Sequence, residues 1–337
     1  MSDSFIQLTF FAAKAILIVV LILLLFAGIL ALFGRGREKK QNGKISIKNL
    51  NEKYKKIKEV LLEEILPKKA FKKYLKEMTA AEKEREKAQG LEKSSQKNIY
   101  VVYFHGDMKA SAVSSLREEI TAILEVATPS DEVVVCVESP GGMVHAYGLA
   151  AAQLSRVREK NIPLTVIVDK VAASGGYLMA CVANKILAAP FAIIGSIGVI
   201  AQLPNFNRLL KEKNIDFEQI TAGNYKRTIS IFGENTPEGR EKLREEIDKI
   251  HQLFKALIKK YRPELDIEKV STGEIWSGTE ALSLQLVDAL TTSDDYFSSL
   301  HNQANLYEIS YQIKKSLGEK VFAGGAKLLE RNVFESF

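Results

Sequence analysis

The chain has 337 residues, 47 Lys+Arg against 41 Asp+Glu, a formal net charge of +6, 46% hydrophobic and 26% charged residues. This excludes a wholly disordered chain, a collagen-like repeat and a polytopic membrane protein, and leaves room for one large domain or two ordinary ones. Only two cysteines, Cys136 and Cys181, are present; both sit in apolar runs, which excludes a disulfide framework and predicts two buried free thiols.

The first predicted element is a membrane anchor. From Ala15 to Phe33 there are 19 consecutive residues without a charge. As a helix they span about 28 Å, close to the hydrocarbon thickness of a bilayer. A cleaved signal peptide would have a shorter apolar region and a small-residue cleavage site after it. Here Arg35, Arg37, Lys39 and Lys40 follow instead, so the reading is a retained helix over about 12–33 in a membrane segment 1–34. With only Asp3 and Lys14 before it, the positive-inside rule places the rest of the chain in the cytoplasm.

A basic linker, 35–97, comes next, with 20 Lys+Arg against 10 Asp+Glu; residues 98–337 carry 26 against 30. The basic excess therefore belongs to the linker, which argues for a stretch near something anionic and against a nucleic-acid-binding body. Leu50, Tyr54, Ile57, Leu61 and Ile65 form one apolar helical stripe, Pro67 breaks it, and Phe71, Tyr74, Leu75 and Met78 resume one. The plain reading is a charged stalk; the sharper ones are a lipid-interface helix or an oligomerisation helix.

From 98 to 300 strand and helix patterns alternate. Strands are predicted at 99–104, 133–137, 164–168, 185–188 and 197–201, with an extended piece at 217–221. Helices are predicted at 116–127, 144–160, 205–212 and 237–261, and a short one near Ser174. Continuous apolar strands separated by helices imply a parallel sheet covered on both faces, an α/β fold. The uncharged run 186–203 is broken by Pro190, Gly195 and Gly198, so it reads as buried core and not as a second span. Residues 301–337 form a C-terminal extension.

Three places in this body look like chemistry. Glu138-Ser139-Pro140-Gly141-Gly142 is a strand-to-helix turn whose glycines can expose backbone N–H groups to an anion, though a plain tight turn explains it equally. Ser174, in Ala173-Ser174-Gly175-Gly176, reads as a nucleophile or as a helix N-cap. Lys226, in Gly223-Asn224-Tyr225-Lys226-Arg227, reads as a surface lysine or as a base. None of the four histidines, His105, His145, His251 and His301, follows Ser174 closely. A lysine stripped of water can replace histidine, because desolvation favours the neutral amine.

The strings SPGG, VAASGGY, GSIGV (195–199) and AGNYKR, in this order and spacing, resemble the signal peptide peptidase A, or protease IV, family of Ser–Lys proteases, and most closely its short, membrane-anchored branch. ESPGGMVHAYGLAA at 138–151 and NIPLTVIVDKVAASGGYLMACVA at 161–183 extend the likeness. The resemblance implies a Clp-protease/crotonase-like α/β parallel-sheet fold with an N-terminal transmembrane helix. It implies Ser174 as nucleophile, Lys226 as general base, Ser196 as the hydroxyl that orients that lysine, and Gly141, Gly142 and Gly175 as an oxyanion hole. No cofactor, metal or nucleic acid is implied. The expected partners are peptide or protein substrates, remnant signal peptides among them, the membrane through 12–33, and further copies in a homo-oligomeric ring. The implied place is a bacterial inner membrane, with the body usually outside the cytoplasm, against the charge rule. The family usually shows Gly-Leu-Val-Asp where this chain has Gln285-Leu286-Val287-Asp288. Rival functions are a catalytically silent scaffold of the same fold and acyl-CoA chemistry of the crotonase type.

Overall fold

A computed structural model describes residues 11, 14, 16–23, 43–89 and 96–313. The chain divides into two compact units, one of residues 1–44 with 313–337 and one of 45–312. In the first, residues 16–23 are helical and their apolar side chains are exposed. Among the described residues no helix is long and apolar enough to cross a membrane. The rest of the predicted anchor lies outside them.

The second unit is built on strands β1 (Gly43–Asn49), β2 (Asn98–His105), β3 (Glu132–Glu138), β4 (Leu164–Val168), β6 (Lys185–Ala188), β9 (Ala289–Leu290) and β10 (Asn305–Ile313). They form a seven-stranded sheet in the order β1-β10-β2-β3-β4-β6-β9, and every pairing from β10 to β9 is parallel. The fold is mixed α/β with a parallel-sheet core. Alternation within the strands splits the core in two. Tyr100, Val102, Phe104, Val133, Val135 and Val137 face the larger cluster, and Ile99, Val101, Val134 and Cys136 the smaller. Burial on both faces is why β3 and β4 read as unbroken apolar runs.

Helices α3 (Val113–Leu124), α4 (Val144–Glu159), α5 (Gly175–Ala180), α7 (Pro237–Tyr261), α8 (Ile267–Val270) and α9 (Gly278–Ser283) contribute buried side chains to the larger cluster. The smaller one is closed by α10 (Ser293–Leu300) through Phe297 and by the first turns of α1 (Leu50–Ile65) through Leu50 and Tyr54. Helix α2 (Lys68–Gln89) follows α1 after Pro67, as the broken stripe predicts. Thus the predicted linker and the C-terminal extension each supply a strand to the sheet, β1 and β10. Both cysteines are free and buried, and burial pushes the Cys181 thiol up to about 12.

A second, three-stranded sheet joins β5 (Val171–Ala173), β7 (Ile193–Gly195) and β8 (Ile275–Ser277), β5 parallel and β8 antiparallel to β7. This corrects the expected strand at 197–201. Gly195 and Ser196 take φ of 107° and 51°, so the chain leaves the extended region there and the strand ends at Gly195. The expected extended piece at 217–221 pairs with no strand. Helix α6 (Asn207–Glu212) and α7 fall where the pattern put them.

Candidate active site

The end of β3 and the start of the small sheet meet at Ser139. Its N–H donates to the Val171 carbonyl at 2.8 Å and its carbonyl accepts from Ala173 N–H at 3.0 Å. This bridge sets the Ser139-Pro140-Gly141-Gly142 turn beside the end of β5. An ideal Cβ on Gly141 would lie 2.7 Å from both Gly175 N and Ser174 Cβ, so only glycine allows that approach, and Gly141 has a φ of +90° besides. A Cβ on Gly142 would strike the Met108 carbonyl, whose oxygen accepts from Met143 N–H at 2.8 Å.

Ser174 stands at the N-cap of α5 with φ 50° and ψ −117°, and its side chain makes no capping hydrogen bond. Such a conformation costs a non-glycine residue about 1–3 kcal/mol and persists only where the surroundings dictate it. Here Ser174 N–H donates to the Gly195 carbonyl at 2.7 Å, and Gly175 abuts the Tyr147 ring so closely that a Cβ would overlap it. The hydroxyl that an ordinary N-cap serine would turn to the helix makes no hydrogen bond among the described residues. Gly175 opens α5, where the first N–H groups lack an intrahelical acceptor.

Three glycines were expected to line the hole, and they stand differently. Gly141 N–H already donates to Ser139 Oγ at 3.1 Å. Gly142 N–H finds no acceptor among the described residues. Of the three, Gly142 and Gly175 therefore keep N–H groups for which no acceptor occurs among the described residues. Behind them Ser139 Oγ and Tyr147 Oη share a hydrogen bond of 2.5 Å, and Tyr147 Oη donates to the Asp107 carbonyl at 2.8 Å. Both side chains are buried, and burial pushes the Tyr147 phenol up. Sequence reasoning missed Tyr147. A tyrosine on the buried face of a helix must find a polar partner, and that was the available signal.

The β5–β7 pairing also brings Ser196 near, one residue beyond Gly195, with its N–H on the Glu274 carbonyl at 2.6 Å. Lys226 is not brought in. It is exposed, on a stretch in which no residue from 198 to 253 is buried, and its amine makes no hydrogen bond or ion pair among the described residues. Lys226 lines a groove of about 650 Å³ with Leu203, Phe217, Ile220, Ile231 and Phe232. The stretch is organised internally: Phe206 N–H donates to the Ile231 carbonyl at 2.7 Å, Asn207 Nδ2 to the Phe232 carbonyl at 2.9 Å, and the Phe217 and Phe232 rings lie 5.8 Å apart.

Of the histidines, His105 ends β2 with Nδ1 3.6 Å from Glu138 Oε2, and His145 is exposed. His251 is half-buried on the long helix, with Nε2 lacking a partner among the described residues. No group of three His, Cys, Asp or Glu side chains suited to a metal occurs among the described residues.

A model of the N-terminal region of peptidase family S49 matches residues 3–154, and a model of peptidase family S49 matches 156–307. The chain is 45% identical over 317 residues to the probable protease SohB of Haemophilus influenzae, covering 90% of this chain and 88% of that one. To the probable protease SohB of Buchnera aphidicola subsp. Acyrthosiphon pisum it is 53% identical over 245 residues, 73% of each chain. Among solved structures, the ClpP protease catalytic domain from Plasmodium falciparum aligns at a TM-score of 0.36 and 12% identity, over 57% of this chain and 85% of that one.

Proposed function

On the premise that the chain belongs to peptidase family S49 and is a peptidase, we propose that it is a membrane-anchored serine endopeptidase working through Ser174 and Lys226. The observation that carries this is the serine at the N-cap whose side chain makes no capping hydrogen bond, beside two glycines whose N–H groups have no acceptor among the described residues. In this reading Ser174 Oγ attacks a peptide carbonyl and gives its proton to neutral Lys226. The N–H groups of Gly142 and Gly175 hold the oxyanion, an arrangement worth about 3–4 kcal/mol per donor in comparable sites. Lys226 then hands the proton to the leaving amine, and water hydrolyses the acyl-enzyme. Ser196 orients the lysine.

A lysine acts as base only when stripped of water, and in the single chain Lys226 is exposed. Its stretch also exposes Ile220 at 95% and Ile200 at 81%, with Phe191 at 92% on the β6–β7 turn. Large apolar side chains left this exposed suit a surface that something covers. In our reading a closed homo-oligomeric ring covers it, dries Lys226 and seats it against Ser174 of a neighbouring copy. The exposed apolar helix at 16–23 and the uncharged run to Phe33 support a membrane anchor over 12–33, the relatives above support a bacterial protein, and in our reading the membrane is the inner one. Substrates would be peptides, remnant signal peptides among them, or unfolded membrane-associated segments.

Two inactive variants test this. Ser174→Ala and Lys226→Ala should each abolish peptide hydrolysis, and a fluorophosphonate should label the wild type at Ser174. Mixed after dissociation and reassembled, the two variants should regain part of the activity, since some interfaces pair an intact serine with an intact lysine. Hydrolysis unchanged in both variants would end the Ser–Lys reading and leave the scaffold alternative.

A further inference from the structure

We propose that the tip of the α1–α2 hairpin docks on an anionic bilayer surface. The apolar stripe of α1 has two fates. Its first members, Leu50 and Tyr54, pack into the smaller core cluster. Its later members, Ile57, Leu61 and Ile65, leave the body and are 48%, 57% and 70% exposed, with Val60 beside them at 63%. Four large apolar side chains within nine residues stay wet although α2 runs back beside α1. Helix α2 returns past α1 with the Tyr74 ring 5.7 Å below Lys58 Nζ, and Leu62, Leu66, Phe71, Tyr74, Leu75 and Met78 are half-buried while the later members of the stripe are not. The hairpin therefore holds its shape without using the exposed stripe.

Charge says what covers it. Helix α1 carries four lysines and four glutamates and is neutral as a whole, with Glu59, Glu63 and Glu64 on its half toward the tip. The first three turns of α2 are not: residues 68–79 hold Lys68, Lys69, Lys72, Lys73 and Lys76 against Glu77 alone. Lys73 pairs with Glu77 at 3.8 Å, which leaves Lys68, Lys69, Lys72 and Lys76 without an acidic partner among the described residues, all exposed. The hairpin tip thus joins Ile65, preceded by the exposed Glu63 and Glu64, to a lysine cluster of net charge +4 at 68–79 across Leu66 and Pro67. Apolar side chains beside lysines, whose stems can lie along the acyl boundary while the ammonium groups reach the headgroups, fit an anionic lipid surface. A second copy is the rival occupant, which the test below separates from lipid by its dependence on protein concentration. The hairpin also begins only 17 residues after Phe33, the end of the uncharged run.

The test uses the full chain with Leu61→Cys labelled by an environment-sensitive fluorophore; Cys136 and Cys181 are buried and should not react. The labelled protein is reconstituted in nanodiscs of phosphatidylcholine with or without phosphatidylglycerol. In the anionic discs the emission should move to the blue and be quenched by a lipid-borne quencher, and salt at about 0.5 M should reverse both. A label at Glu84→Cys, on the exposed side of α2, should not respond. The triple variant Lys68→Gln/Lys69→Gln/Lys72→Gln should lose the shift while hydrolysing soluble peptides as before. An equal shift in neutral discs, a shift that follows protein concentration and not lipid charge, or no shift at all would overturn the proposal, the second pointing to another copy as the occupant.

Discussion

The turn that carries Ser174 is enclosed by β3, β5, β7 and the Tyr147 ring, whereas the stretch that carries Lys226 has no buried residue over 198–253. Each backbone bond around Ser174 belongs to an element anchored in the core. The stretch around Lys226 is held by its own asparagines and phenylalanines, which fix its internal shape. The contrast teaches where the two halves of a Ser–Lys site can come from. Strain and close backbone approach need a rigid surround, so the surroundings of the proposed nucleophile are finished within one chain. A dry lysine needs only a cover, and a neighbouring molecule can supply one. A site divided this way would stay inactive in the dissociated chain.

The largest effect should follow from spoiling the finished half. In Gly141→Ala the new methyl would fall 2.7 Å from Gly175 N and Ser174 Cβ, at a φ that disfavours any side chain. Loss of hole geometry of this kind costs about 10²–10³ in kcat. Steady-state kinetics should show the fall in kcat with the oligomeric mass unchanged. A variant that keeps full kcat would mean that the turn does not form the hole. Next comes the other half. Ile220→Glu charges a side chain that is 95% exposed in the groove containing Lys226. Light scattering should show a smaller particle and activity should fall with it, while the stability of the separated chain moves by less than about 0.5 kcal/mol, as for most surface substitutions. Full-sized, active particles would break the comparison, because the exposed face would then be no interface.

The sequence made the first half far more legible than the second. Runs such as Val133–Val137 and Leu164–Val168 are apolar throughout because both sheet faces are covered, and that pattern survives without any knowledge of neighbours. Small residues around Ser174 likewise announced a close backbone approach. The strands at the sheet's far edge were hidden for a physical reason. β1 and β10 are partly exposed, carry charges such as Lys48 and Glu308, and lie 256 residues apart from Asn49 to Asn305, so neither has a local partner in the sequence. Gln285 shows a rule broken and tolerated. It takes a φ of 60° where the family usually has glycine, and its neighbours Leu286 and Val287 are buried while Asp288 pairs with Arg262 at 2.8 Å. Whether Lys226 is dry was not legible, since neither local pattern nor one chain's packing contains the answer.

The smallest effect separates the body's stability from the divided site. Glu119, on α3, is buried and accepts from Tyr311 N–H of β10 at 2.8 Å. Burial raises its pKa, and the Tyr311 N–H only partly opposes that. The folded chain therefore binds this proton more tightly than the unfolded chain does. The stability that the protonated group contributes is present below the ordinary carboxylate range and is lost as pH rises through the raised one. Glu119→Gln keeps an oxygen for Tyr311 and cannot ionise. Its melting temperature should exceed that of the wild type by a few degrees near neutral pH, and the difference should vanish toward pH 4. The dilution at which activity disappears should stay where it was, because β10 and α3 belong to the enclosed half of the molecule. A melting curve with the opposite pH trend would show that the Tyr311 hydrogen bond outweighs desolvation. A shifted dilution point would show that the two halves are coupled through the sheet.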